Sequence, residues 1–127
     1  MLGGDLLSFR ERRRIDTAIA RAERVSDLAF EVYLGPAGAD ARGHALALHS
    51  RLPAPEMSVL VLCDPEARAL EIVTGADTRQ YLDDPACRLA VATMTSSFLA
   101  GQVVDGLVRG ISQLGEAAHH PQTLHAV

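Results

Sequence analysis

At 127 residues, 48% of them hydrophobic and 22% charged, the chain has the size of one ordinary domain and a composition that excludes disorder as its global state. A net charge of -4 and a sequence pI near 5.7 argue against a nucleic-acid binder, because phosphate recognition calls for a strongly basic surface. No stretch approaches the roughly 18–20 apolar residues that cross a bilayer, and the first residues lack the basic, apolar, small order of a signal peptide, so a cytoplasmic protein is expected.

All twelve basic residues are arginines, a codon bias rather than a functional sign. Ser8 and Glu11 form a capping box that predicts a helix from Phe9 to Val25. Its apolar stripe is Ile15, Ala18, Ile19 and Ala22, and Arg10, Arg13, Arg14, Arg21 and Arg24 gather on roughly the opposite side. Leu28 to Leu34 alternates as a strand, broken by Gly35-Pro36-Ala37-Gly38. Ala39 to Leu52 reads as a second helix that Pro53 and Pro55 end. Met57 to Cys63 is almost wholly apolar, as a central strand covered on both faces should be.

Asp64-Pro65-Glu66-Ala67-Arg68 is a turn, and Ala69 to Thr74 returns antiparallel to complete a hairpin. Ala76 to Leu82 offers one helical turn, and Asp83-Asp84-Pro85 then supplies a cap and a helix-compatible proline. The third full helix carries Ala86, Leu89, Ala90, Thr93, Met94, Ser97 and Phe98 on one face and is apolar over much of the remainder, so deep burial is expected; Gly101 ends it. Val103 to Ala117 is a last helix with a Gly106-x-x-x-Gly110 spacing that admits close packing on a neighbour, in this chain or a second copy.

The order helix, strand, helix, strand, strand, helix, helix predicts an α/β class: a three-layer α/β/α sandwich with a small mixed sheet. The first two strands flank a crossover that favours parallel, right-handed pairing. One domain over residues 1–118 and a flexible tail over residues 119–127 are expected.

That order, the hairpin ending Ile72-Val73-Thr74-Gly75, the helix start Asp83-Asp84-Pro85-Ala86-Cys87-Arg88-Leu89-Ala90-Val91, and the exit Ser97-Phe98-Leu99-Ala100-Gly101 followed by Gly106-Leu107-Val108 resemble an actinobacterial family of unknown function. That family in turn resembles a divergent TPM domain. The resemblance covers about Leu7 to Leu114 and implies an α/β/α sandwich. Within the TPM group it also brings acid phosphatase, calcium-binding and membrane-accessory members into view. TPM domains commonly place an acidic residue where this chain has Gln102.

Asp77, Asp83 and Asp84 follow the third strand, where hard oxygen ligands could hold calcium or magnesium; each also reads as a cap. Thr74 and Gly75 offer a hydroxyl and a backbone N–H to a ligand, although a glycine at a strand exit also reads as there for its backbone freedom, and Arg79 and Arg88 stand near the carboxylates as anion binders or ion-pair partners. Cys87 lies in a helical first turn where a thiol can be activated, but its apolar neighbours and the lack of a paired histidine read as structural. His44 and His49 do not share a helical face, and His119, His120 and His125 fall in the tail.

The arginine face of the first helix suits an acidic partner, and with Asp16 and Glu23 interleaved it also reads as an ordinary solvated face. The reading is a non-enzymatic accessory or interaction module that binds a protein or small anion and has scope for self-association. That reading rests on there being no full set of nucleophile, base and orienter that these residues can assemble; a weak metal-dependent acid phosphatase using Asp77, Asp83 and Asp84 is the alternative, and a role carried by self-association is a third possibility.

Overall fold

In the computed structural model residues 1–119 are described, and they run β1 (Leu2–Gly3), α1 (Phe9–Ser26), β2 (Ala29–Leu34), α2 (Ala41–Ser50), β3 (Ser58–Asp64), β4 (Ala69–Thr74), α3 (Asp84–Leu99) and α4 (Val103–Ala117). Single 3-10 turns, Pro55–Met57 and Thr78–Gln80, precede β3 and α3. The capping box is formed in both directions: Glu11 N–H donates to Ser8 Oγ at 3.1 Å and Ser8 N–H to Glu11 Oε1 at 2.9 Å. Asp27 closes α1 in the left-handed conformation, φ 62°, and donates its N–H to the Glu23 carbonyl.

The four strands lie in the order β1-β2-β3-β4, with β1, β2 and β3 parallel and β4 antiparallel to β3. Side-chain alternation divides the interior in two. Phe30, Val32, Leu34, Val59, Val61 and Cys63 face α1, α3 and α4, whereas Leu60, Leu62 and Val73 face α2. The three-layer α/β/α sandwich is thus present, with one thick and one thin helical layer. Among the described residues no helix is long and apolar enough to cross a membrane.

β1 has no counterpart in the sequence reading. It is two residues long and ends in Gly3 and Gly4, whose φ values of 71° and 75° belong to glycine. A side chain at Gly3 would collide with the Leu34 carbonyl, and Gly4 N–H donates to that oxygen at 2.8 Å. β1 to β2 through α1, and β2 to β3 through α2, step in the same direction across the sheet but over opposite faces. Two such crossovers have opposite hands. The parallel pairing of β2 with β3 is as expected, and one of the two crossovers departs from the right-handed rule.

α1 and α4 run parallel: Arg14 meets Asp105 near their starts, and Gly115 abuts Ala22 near their ends. The Gly106-x-x-x-Gly110 spacing packs within the chain, since side chains there would strike Phe98, Ser97 and Met94 of α3.

α3 is less buried than expected. Only Ala90, Met94 and Ser97 are buried, whereas Leu89 is 60% and Leu99 73% exposed. The helix is packed chiefly on α4, where Met94 and Phe98 meet Gly110 and Gly106, and its opposite side is left uncovered. At its end Gly101, φ 77°, sits beyond Ala100; Gln102 N–H donates to Ser97 O at 2.9 Å and Gly101 N–H to Phe98 O at 3.0 Å, a Schellman closure. Of the expected tail, His119 is fixed by a ring-nitrogen contact with the Val25 carbonyl at 3.1 Å, and residues 120–127 lie outside the described residues.

Candidate functional site

Arg10, Arg13, Arg14, Arg21 and Arg24 are all exposed on α1. Phe9, Arg10, Arg13, Arg14 and Thr17, with Val108 of α4, line a groove of about 510 Å³. Its apolar side is Phe9, 77% exposed, with the Arg13 guanidinium 5.8 Å from the ring centroid, a cation–π distance. Arg14 is paired with Asp105 at 2.6 Å, while Arg10, Arg21 and Arg24 have no ion-pair partner among the described residues. Farther along the same two helices, Arg21, Ala22, Val25, Ser112, Gly115 and Glu116 line a second recess of about 290 Å³. Arg12 is different: it turns back to donate to the carbonyls of Gly3 and Gly4 at 2.8 and 3.1 Å, fastening the loop after β1.

The strand-end group is arranged otherwise than the sequence suggested. Because β4 runs antiparallel, Thr74 and Gly75 lie where β3 begins, Thr74 opposite Val59, and not at the carboxyl ends of the parallel strands where open α/β sheets place ligands. The Gly75 N–H is not offered to a ligand. Gly75 is buried, donates to Ser58 O at 3.0 Å, and has no room for a side chain beside Pro55 and Glu56. Asp83 is the N-cap of α3, accepting from Ala86 N–H at 3.0 Å; the Asp77 side chain makes no cap bond. Asp77, Asp83 and Asp84 are not brought into a ligand shell: among the described residues no three His, Cys, Asp or Glu form a group that could hold a metal ion. Arg79 donates to the Thr74 carbonyl at 3.3 Å, and Arg88 is exposed on α3 with no ion-pair partner among the described residues.

The carboxyl end of β3 holds a residue the sequence reading treated only as part of a turn. Asp64 is buried and accepts from Ala37 N–H at 2.9 Å and Ala67 N–H at 3.2 Å, tying the loop after β2 to the hairpin turn. Those two backbone donors hold its carboxyl below the usual value, against the opposing effect of burial. Asp64 and Arg68 also border a cleft of about 270 Å³ formed with Leu70, Thr95, Phe98, Leu99 and Val103. An aspartate ending an apolar run just before proline was the available signal.

Residues 6–115 match the family described as Domain of unknown function (DUF5130). The chain belongs to DUF5130. An uncharacterised Mycobacterium tuberculosis protein, found in two strains, is 33% identical to this DUF5130 domain over 100 residues, 79% of this chain. The chain spans about 60% of that relative's length. The BA42 protein of the psychrophilic bacterium Bizionia argentinensis shares the fold with a TM-score of 0.80 at 22% identity, over 91% of this chain and 83% of that one. The N-terminal domain of the Corynebacterium glutamicum cg2496 protein does so with a TM-score of 0.72 at 14% identity, over 88% and 74%.

The remaining reactive groups of the DUF5130 domain are turned to packing. Burial, with Asp64 adding to it, pushes the Cys63 thiol up to about 12. Burial and then the charges of Asp84 and Asp83 raise Cys87, so the first-turn position does not activate it. His49 is buried with Nε2 2.9 Å from the Ser58 carbonyl. His44 lies edge-on to Tyr33, ring centroids 5.1 Å apart, with Nδ1 3.2 Å from the Ala37 carbonyl.

Proposed function

We propose that this DUF5130 domain is a non-enzymatic accessory module that binds an acidic protein partner along the arginine face of α1, with small anions as weak competitors for the same guanidinium groups. The observation that carries the reading is the α1–α4 groove, in which the exposed Phe9 ring and Val108 stand beside Arg10 and Arg13. An apolar anchor beside two cations that have no ion-pair partner among the described residues is what a segment mixing Asp or Glu with one large apolar side chain would complement. Both thiols are raised rather than activated, which supports binding over nucleophilic chemistry. Kinship with TPM domains belongs to the same proposal, supported by the helix and strand order and by the Ser97 to Gly101 exit. The metal-dependent phosphatase alternative has less support, because Asp83 is committed to its cap and Asp77, Asp83 and Asp84 do not converge.

Titrating isotope-labelled protein with an Asp/Glu-rich peptide carrying one Phe or Leu should move the amide signals of residues 9–17 and 105–112. The Arg10→Glu, Arg13→Glu variant should lose the effect, and salt near 0.5 M should weaken it, as expected when charges are screened. Shifts that persist unchanged in the variant would sink the reading. A companion thermal-shift series with millimolar calcium or magnesium should leave the melting temperature where it was; a cation-dependent rise would revive the acidic group as a site.

A further inference from the structure

A second surface, on the other helical pair, has a self-complementary order. The outward row of α3 is Leu89, Ala92, Ser96 and Leu99, spaced three, four and three residues apart so that they stay on one stripe of the helix. The two leucines are among the most exposed large apolar side chains of the molecule, at 60% and 73%. No charged residue occurs from Leu89 to Val104, which leaves this row without a handle for a charged partner. Read in either direction, the row is large, small, small, large.

We propose that α3 packs antiparallel on α3 of a second copy about a two-fold axis, Leu89 of each copy opposite Leu99 of the other and Ala92 opposite Ser96. In a two-fold interface residue i meets residue j while j meets i, and a row whose two halves mirror each other in size meets that condition. The small pair at the centre lets the helices approach closely, and the leucines pack at the two ends.

An independent feature lies at the position this register requires. Leu99 borders the 270 Å³ cleft whose other apolar walls are Pro65, Leu70, Phe98 and Val103, with Thr95 and the charged Asp64 and Arg68 completing the lining. Leu89 of the second copy, set opposite Leu99, enters that cleft, and the symmetry repeats the insertion at the other end. The same register brings each Arg88 beside Ala100 of the other copy, at the carbonyl end of its helix, where a cation is favoured. The contact is short, about 15 Å of helix between Leu89 and Leu99 at 1.5 Å per residue, so it belongs with small, concentration-dependent interfaces.

Sedimentation velocity on the whole chain, from about 10 µM to about 1 mM, tests this, with reversible dimer growth expected toward the upper end. Leu89→Glu and Leu99→Arg each place a charge in the contact and should leave a monomer at every concentration. Both positions are exposed, so the fold should survive, as circular dichroism checks. Combining the two substitutions sets the introduced carboxylate of one copy against the introduced guanidinium of the other at both ends of the antiparallel pair and should restore the dimer. A parallel pair would set like charges together and stay apart. A wild-type monomer throughout the range, or a double variant that remains monomeric, would overturn the proposal.

Discussion

Asp64 couples proton uptake to the fold. Its folded carboxyl lies below the ordinary value of 3.8 because Ala37 and Ala67 donate backbone N–H groups to it. A depressed value means that the ionised form stabilises the fold above about pH 4, and that this contribution is lost as acid protonates the group below it. Melting temperature followed from pH 6 down to pH 2 should fall more steeply in the wild type than in Asp64→Asn; equal slopes would show that other carboxyls control acid unfolding. Gly75 is the other position where one atom decides. Gly75→Ala should cost about 2 kcal/mol or more in chemical denaturation, because the new methyl meets the Pro55 and Glu56 backbone. At this scale the sequence was a partial guide. It marked Gly75 at a strand exit for backbone freedom or for a ligand-facing N–H, and neither is the reason, since the crowding comes from a segment about twenty residues earlier. It grouped five arginines on the α1 face without Arg12, and gave no sign that Arg12 holds the Gly3–Gly4 loop.

Local chemistry made most elements legible. Ser8 with Glu11, Asp83 before Pro85, and Gly101 announce helix ends through backbone groups a few residues away, and each does what that chemistry requires. Ser8→Ala should therefore lower stability by about 1 kcal/mol, read as a shift in denaturation midpoint. Where the pattern lacked contrast, the reading fell short. α1 sets arginines against alanine and isoleucine, so its buried stripe can be read directly, whereas α3 has apolar residues on every side: the face read from its spacing does hold the buried Ala90, Met94 and Ser97, but the depth of burial was overstated, as the exposed Leu89 and Leu99 show. β1 was invisible because two residues have no period. β4 raises a different matter, being a sheet edge. Arg42 donates to the Ile72 carbonyl at 2.8 Å and Arg79 to the Thr74 carbonyl at 3.3 Å, so two guanidinium groups occupy acceptors that an added strand would use. Replacing both with alanine should raise light scattering during prolonged incubation below the melting temperature. Unchanged scattering would mean that the edge is protected by something else.

For the whole molecule, the layer order followed from the sequence, but the face over which each connection crosses did not. A strand, a helix and a strand imply a crossover, and nothing local tells which face the next helix will take. That choice left the interior unequal. Nineteen buried apolar residues lie in the cluster beneath α1, α3 and α4 and five in the cluster beneath α2, among the described residues. The domain should accordingly loosen in two stages rather than one. Amide exchange of α2 should proceed through a partial opening that leaves α1 and α4 protected, since the smaller cluster forfeits less apolar contact when it comes apart. The sheet would then be bared on one side while both the arginine groove and the outward row of α3 stay assembled, so the thin layer is where the molecule exchanges with solvent first without disturbing the two surfaces proposed for partner and self contact.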